Sequence, residues 1–251
     1  MFQNIEVRMV VALAQIKPHI GDIEKNITRH VDFIKVATDH RAHLIIFPEL
    51  SLTGYEPKLA NALAMNLADS RLEIFQAMSD LHHVTIGLGV PLRVQNGVTI
   101  SLVLFSPAQP RVRYSKHFLH ADEVPHFVPG DNIALTVKNK KVALAICYEL
   151  SVDTHRALAF KDNPDLYISS VAKTRRGTTA ACEVLSRTAK NYETITMMCN
   201  SIGIQDGEEC TGTTSAWNSW GDLIGQLDER HEGLLFIDSD KGVATDFYFE
   251  K

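Results

Sequence analysis

The sequence predicts an α/β (α+β) protein in which a mixed sheet, or two sheets, is covered by helices. Three observations carry that prediction. Apolar runs of strand length recur along most of the 251 residues. Many of them alternate with segments whose apolar residues repeat at helical spacing. Hairpin signals such as Gln95-Asn96-Gly97 interrupt the alternation, so the strands are not all parallel.

Residues 7 to 16 read as a strand, and Gly21-Asp22 opens a helix with Ile23, Ile27, Val31, Ile34 and Ala37 on one face. His43 to Phe47 is a second apolar strand, ended by Pro48-Glu49-Leu50, and residues 51–57 form a loop. Leu63, Leu67, Leu72, Phe75 and Met78 predict one helix over about 60–80. Val84–Leu92 and Val98–Phe105 are strands joined by the Asn96-Gly97 turn, and a short strand follows at 111–114. Ser115 to Asp131 lacks periodicity and contains Pro125, Pro129 and Gly130, which predicts a long loop of the kind that carries function. Ile133–Val137 and Val142–Cys147 are strands. A helix over about 152–161 ends before Pro164, with Ser151 or Asp153 as its N-cap. Then come a strand at Asp165–Val171, a helix at Arg176–Tyr192 and a strand at Thr194–Cys199. The remainder reads as strand and turn, at Thr213–Trp217, Leu223–Leu227, Leu234–Ile237 and Thr245–Phe249. No repeat, low-complexity stretch or linker divides the chain, so a single domain over 1–251 is expected.

Composition narrows the function classes. Hydrophobic residues make up 45% and charged residues 22%, as in ordinary globular proteins. The net charge of -5 argues against nucleic acid or an anionic membrane as partner. No apolar run reaches membrane-span length. Residues 1–8 lack a basic segment followed by an apolar one, so no signal peptide is read there. The four cysteines, at 147, 182, 199 and 210, contain no CxxC pair and point to neither a disulfide framework nor a zinc ribbon. A cytoplasmic location is the expectation.

Three stretches carry residues suited to chemistry. The apolar run Val142 to Ile146 leads directly into Cys147, where a buried strand gives way to a polar helix start. A thiol at such a turn is exposed to substrate and near free N–H groups that favour an anion. Taken alone, the stretch favours an inert core cysteine. Glu49 ends the strand Ile45-Ile46-Phe47, where α/β folds place catalytic groups, although a solvated strand-end glutamate is the ordinary reading. Lys116, by itself, reads as an exposed lysine.

Together these stretches resemble the nitrilase superfamily, the carbon–nitrogen hydrolases. Phe47-Pro48-Glu49-Leu50 followed by Gly54-Tyr55 is similar to the family's catalytic-glutamate motif. Tyr114-Ser115-Lys116-His117-Phe118-Leu119 is similar to its lysine motif, and Ala145-Ile146-Cys147-Tyr148-Glu149 to its nucleophile motif. Glu123, Phe127-Val128-Pro129-Gly130, Asn200-Ser201-Ile202-Gly203 and Gly212 to Gly221 resemble further family segments, so the likeness runs along nearly the whole chain. It implies a four-layer α-β-β-α sandwich, usually paired into dimers or larger homo-oligomers. It implies Cys147 as nucleophile, Glu49 as general base and acid, Lys116 as oxyanion stabiliser and Glu123 as a support for Lys116 or substrate. The backbone N–H of Tyr148 would assist at the oxyanion. The chemistry is sufficient for amide hydrolysis through an acyl-enzyme, with a small-molecule amide and water as partners and no cofactor or metal.

The implied activity is an amidase acting on a small carboxamide, with N-carbamoyl compounds or nitriles as alternatives. Cys-Tyr-Glu looks more amidase-like than the Cys-Trp-Glu of true nitrilases. A non-catalytic binding or assembly protein on the same fold is the alternative of another class, opposed by the intact Glu49, Lys116 and Cys147. The run from Leu150 to His155, the strand end Ser169-Ser170-Val171-Ala172, and Asn191-Tyr192-Glu193 depart from the family's habit and bear on the substrate. Tyr55, Ala172 and Arg175 are candidate substrate contacts, with Arg175 or Arg176 suited to a carboxylate. His117, His120 and His126 could suggest a metal-dependent hydrolase, but their spacing fits no specific zinc pattern and they read as loop histidines. Trp217 and Trp220 read as core and hairpin packing, Cys182 as helix face and Cys199 as strand core.

Overall fold

The apolar run near the N-terminus becomes an interior strand of a seven-stranded sheet in the computed structural model, which describes residues 8–250. Strand β1 (Val10–Gln15) is followed by helix α1 (Ile23–Asp39), whose start is capped by the Asp22 side chain accepting from the Lys25 N–H. Strand β2 (Leu44–Ile46) lies parallel to β1. A short helix α2 (Ala60–Leu63) and helix α3 (Glu73–His82) lead to the hairpin of β3 (Thr85–Val94) and β4 (Gly97–Phe105), then β5 (Val112–Ser115). After the long loop come β6 (Leu135–Val137) and β7 (Lys140–Ile146), helix α4 (Asp153–Phe160), β8 (Leu166–Val171), helix α5 (Arg175–Tyr192) and β9 (Ile195–Asn200). The chain closes with β10 (Ile202–Gln205), β11 (Glu208–Thr211), β12 (Ser215–Trp217), β13 (Leu223–Gln226), β14 (Gly233–Asp238) and β15 (Val243–Tyr248).

One sheet has the order β15-β14-β1-β2-β3-β4-β5 and the other β13-β12-β9-β8-β7-β6. Each keeps a parallel centre, β1-β2-β3 and β7-β8-β9, with antiparallel strands outside it. Side-chain alternation sorts the core into layers. Val11, Leu13, Leu44 and Ile46 of the first sheet meet Leu144, Ile146, Ile168 and Met197 of the second. On the far side of the first sheet, Val10, Ala12, Ile45 and Phe47 pack under Phe33 of α1 and Phe75 of α3. On the far side of the second, Ala145, Tyr167 and Met198 pack under Phe160 of α4 and Ala181 and Leu185 of α5. The expected four-layer α-β-β-α sandwich is therefore present. No described helix is long and apolar enough to cross a membrane.

Four local expectations need correction. The single helix over 60–80 is broken, because Met65 leaves the helix to pair in parallel with Leu92, its N–H bonding the Pro91 carbonyl. The helix after Cys147 begins as a 3₁₀ turn over Cys147–Ser151, and Val152, not Ser151 or Asp153, holds the N-cap of α4. The β10–β11 hairpin was not anticipated. Trp217 is core, whereas Trp220 is 74% exposed at the turn between β12 and β13. The start of the first expected strand, at Val7, lies outside the described residues.

Candidate active site

Three loops deliver the predicted residues to one place. Glu49 follows β2 in a turn closed by the Ser51 N–H on the Pro48 carbonyl, with Leu50 at φ +50°. Gly89 of β3 makes room for this turn: an added Cβ would overlap the Pro48 carbonyl and lie 2.6 Å from the Leu50 nitrogen. Behind it, the Asn26 amide bonds the Leu52 carbonyl at 2.9 Å, and His30 Nε2 lies 3.0 Å from Ser51 Oγ. Lys116 follows β5. Its N–H bonds the Ile100 carbonyl and its carbonyl accepts from the Gly130 N–H. Any Cβ at 130 would overlap that of Ser115, which is the physical reason for glycine in Phe127-Val128-Pro129-Gly130.

Cys147 follows β7 and has φ +46°, a conformation that side-chain-bearing residues adopt at a cost of about 1–3 kcal/mol. Glu149 helps hold it there. This buried carboxylate accepts from the Ile146 N–H at 2.9 Å and the Tyr114 hydroxyl at 2.8 Å through Oε2. Its Oε1 accepts from the His117 N–H at 2.7 Å. One side chain thus joins the Cys147 turn to both sides of Lys116.

The centre is a buried charge cluster. Lys116 Nζ donates to Glu49 Oε1 at 2.8 Å and to Glu123 Oε1 at 2.6 Å, and all three residues are at most 1% exposed. Removing such charges from water is costly unless they pair, and here the single ammonium serves both carboxylates. Glu123 also accepts from the Tyr55 hydroxyl at 3.0 Å and, through Oε2, from the His120 N–H at 2.7 Å. Two of the three ammonium protons are used, leaving a third. Glu49 Oε2 is buried and has no hydrogen-bond partner among the described residues.

Electrostatics follow from this packing. Burial raises the Glu49 carboxyl above its ordinary range, with Lys116 opposing and Glu123 adding to the rise. Burial and the Glu49 charge push the Cys147 thiol up to about 11, while Lys173 and Lys116 pull it down. Burial alone would lower Lys116, but Glu49, Cys147 and Glu123 outweigh it and hold the ammonium charged. Burial thus favours the protonated form of both Glu49 and Cys147, and the two titrations belong to the pair.

Glu49, Lys116, Glu123 and Tyr55 form one hydrogen-bonded chain, with Cys147 beside it and Tyr148 next along the turn. Ala172 sits half-buried just beyond β8. Arg175 is exposed and paired with Glu229 on the surface. His117 Nδ1 lies 3.1 Å from the Gly130 carbonyl, and His120 pairs with Asp122. Among the described residues no three His, Cys, Asp or Glu side chains group as a metal would require. Cys199 bonds the Ala14 and Ile46 carbonyls inside the core.

The sequence alone assigns no role to Lys173, Gln205 or Cys210, and it marks Glu149 only as part of a motif. Asp206-Gly207 is a hairpin signal that could have found the wall carrying Gln205 and Cys210. Glu149 stands three residues after Ile146, the spacing at which a carboxylate reaches back to close a helix start.

Comparison with known proteins agrees with this architecture. The family model for carbon-nitrogen hydrolase matches residues 10–247. A mutant of the amidase from Nesterenkonia sp. AN1, solved with the acetamide moiety of fluoroacetamide added covalently at its active-site cysteine, superposes with a TM-score of 0.83 at 21% identity, covering 92% of this chain and 89% of that one. A CN-hydrolase superfamily protein from Xanthomonas campestris, XC1258, superposes with a TM-score of 0.81 at 14% identity, covering 97% and 91%. The glutamine-dependent NAD(+) synthetase of Acinetobacter baylyi is 26% identical over 238 residues, 92% of this chain and 44% of the relative. That of Thermotoga maritima is 26% identical over 244 residues, 93% of this chain and 42% of the relative. The chain thus spans less than half the length of these curated relatives. With two sheets between two helical layers, three loop-borne motifs converging on one buried cluster, and the family model matched from β1 to β15, the chain belongs to the carbon-nitrogen hydrolase family of the nitrilase superfamily.

Proposed function

We propose that the chain is a cysteine-dependent amidase that releases ammonia from a small carboxamide through a thioester. The observation that carries this reading is the buried Glu49–Lys116–Glu123 chain, with an unbonded Glu49 oxygen beside the strained Cys147. Glu49 takes the thiol proton as sulfur attacks the amide carbon. The carbonyl oxygen gains the negative charge and is met by the free Lys116 proton and the Tyr148 N–H. The tetrahedral species collapses, the C–N bond breaks, and Glu49 returns the proton to the departing ammonia. Water, deprotonated by Glu49, then attacks the thioester carbon. Collapse expels the sulfur, which recovers a proton and leaves the free carboxylic acid. Glu123 and Tyr55 keep Lys116 in place.

The test is ammonia release across a panel of primary amides, N-carbamoyl amines and nitriles, with Cys147→Ala as control. Turnover of amides above the other two classes, abolished in the variant, is expected. Turnover surviving Cys147→Ala would overturn the nucleophile assignment.

A second reading draws on the curated relatives, whose names state glutamine dependence. Glutamine carries a primary amide at its side-chain end, so it belongs in the same panel, and its selective turnover would make this chain an ammonia-supplying glutaminase.

A further inference from the structure

Beyond the buried cluster, one cation stands at the rim of the site with no acidic partner. Strands β7 and β8 run in parallel register, with Ile146 level with Ser170. Their carboxyl ends thus lie side by side, with Cys147 directly after Ile146 and Lys173 three residues after Ser170. Lys173 is held firmly. Its N–H donates to Asn200 Oδ1 at 2.8 Å, and its carbonyl accepts from Asn200 Nδ2 and from the Thr211 N–H, both at 3.2 Å. Its methylenes run along Gly177 in the first turn of α5, 3.5 Å from where a Cβ would stand. The hairpin closes the other flank, since Thr174 bridges to Cys210 and the buried Cys210 and Gln205 share its inner face. The Gln205 amide oxygen accepts from the Tyr55 N–H, while its nitrogen is buried without a partner.

Lys173 is half-buried, and among the described residues no carboxylate lies within ion-pairing distance of it. The neighbouring arginine that might have served a substrate anion, Arg175, is already bound to Glu229. Lys116 is committed to Glu49 and Glu123. Lys173 is therefore the cation next to Cys147 whose charge is uncompensated. Its field reaches the thiol, where it opposes the rise caused by burial. A lysine whose backbone is fixed and which makes no ion pair among the described residues gains most from an anion delivered with the substrate.

We propose that Lys173 forms a carboxylate subsite, so that the preferred substrate is an ω-amide whose far end carries a carboxylate. This rests on the amidase reading above and narrows it to a substrate class. The carboxylate would pair with the ammonium while the amide carbon stands at Cys147, and the hairpin wall would limit the length between them.

The experiment compares kcat/KM for the monoamides of malonic, succinic and glutaric acid with neutral amides in which two methyls replace the carboxylate oxygens. The native chain should favour the best acid amide over its neutral counterpart by roughly ten- to a hundredfold. Lys173→Gln should collapse that ratio, chiefly through KM, and Lys173→Arg should restore most of it. A ratio near one in the native chain, or equal losses for both amides in Lys173→Gln, would overturn the subsite and leave Lys173 as a modulator of the thiol. If no amide is turned over at all, the amidase reading fails. The subsite is then still decided by calorimetric binding to Cys147→Ala, where acid amides must bind more tightly than neutral ones and lose that advantage in the double variant with Lys173→Gln.

Discussion

At the residue scale, the site turns on which groups are charged at rest. Glu49 is pushed up by burial and Cys147 is pushed up to about 11, while Lys116 stays protonated. In the proposed reaction the competent form has Glu49 ionised and the thiol protonated. Below the Glu49 transition the carboxyl already holds a proton and cannot accept another. Above the thiol transition the proton needed by the leaving ammonia is gone. We predict a bell-shaped kcat/KM profile whose acid limb lies above the ordinary glutamate value of about 4.3. The alkaline limb should lie near about 11. Ammonia release against pH checks this, and an acid limb at or below the ordinary value would contradict it. None of this was legible from residues taken singly. Glu49 and Lys116 read alone as solvated and exposed, and their burial follows from pairing across 67 positions of chain. Only the ordered motifs revealed them.

At the scale of elements, periodicity located most strands and helices because their apolar faces are continuous. It failed where a tertiary bond overrode local pattern. Met65 carries the helical spacing of its segment but is drawn out to pair beside Leu92. The β10–β11 hairpin has a polar, glycine-containing sequence with no clear alternation, and only its Asp206-Gly207 turn, both residues at positive φ, marks it. The loop over 115–131 was legible as functional because prolines and a glycine excluded regular structure. Its folding depends on close backbone approach. Gly89 plays the same part for the Glu49 turn, so Gly89→Ala should cost about 1–3 kcal/mol through overpacking. It should also lower amide turnover out of proportion to the loss of folded protein, because Pro48 to Ser51 must move. Heat unfolding and ammonia release measured on the same preparation check this, and unchanged values for both would contradict it.

At the scale of the molecule, two sheets share one inner core, and the site sits where their carboxyl ends converge. The inner faces are tied by polar contacts as well as apolar ones. Ser170 Oγ donates to the Phe47 carbonyl at 2.8 Å, and Cys199 Sγ bonds the Ala14 and Ile46 carbonyls. These bonds register β8 and β9 against β1 and β2, which sets Cys147 beside Glu49. The sequence pattern implied sheets covered by helices, and the family resemblance supplied the four-layer order that the sorted core displays. The departures at Leu150 to His155 and at Ser169 to Ala172 fall at the 3₁₀ turn and start of α4 and at the end of β8, just before Lys173. In the proposed reaction this assembly takes an acyl group onto one sulfur. Intact-protein mass spectrometry after rapid acid quench of the chain turning over an amide tests it most directly. A mass increase equal to the acyl group, mapped to Cys147 and absent in Cys147→Ala, is expected. Turnover with no adduct at any quench time, or an adduct on Cys182, Cys199 or Cys210 that persists in Cys147→Ala, would contradict it.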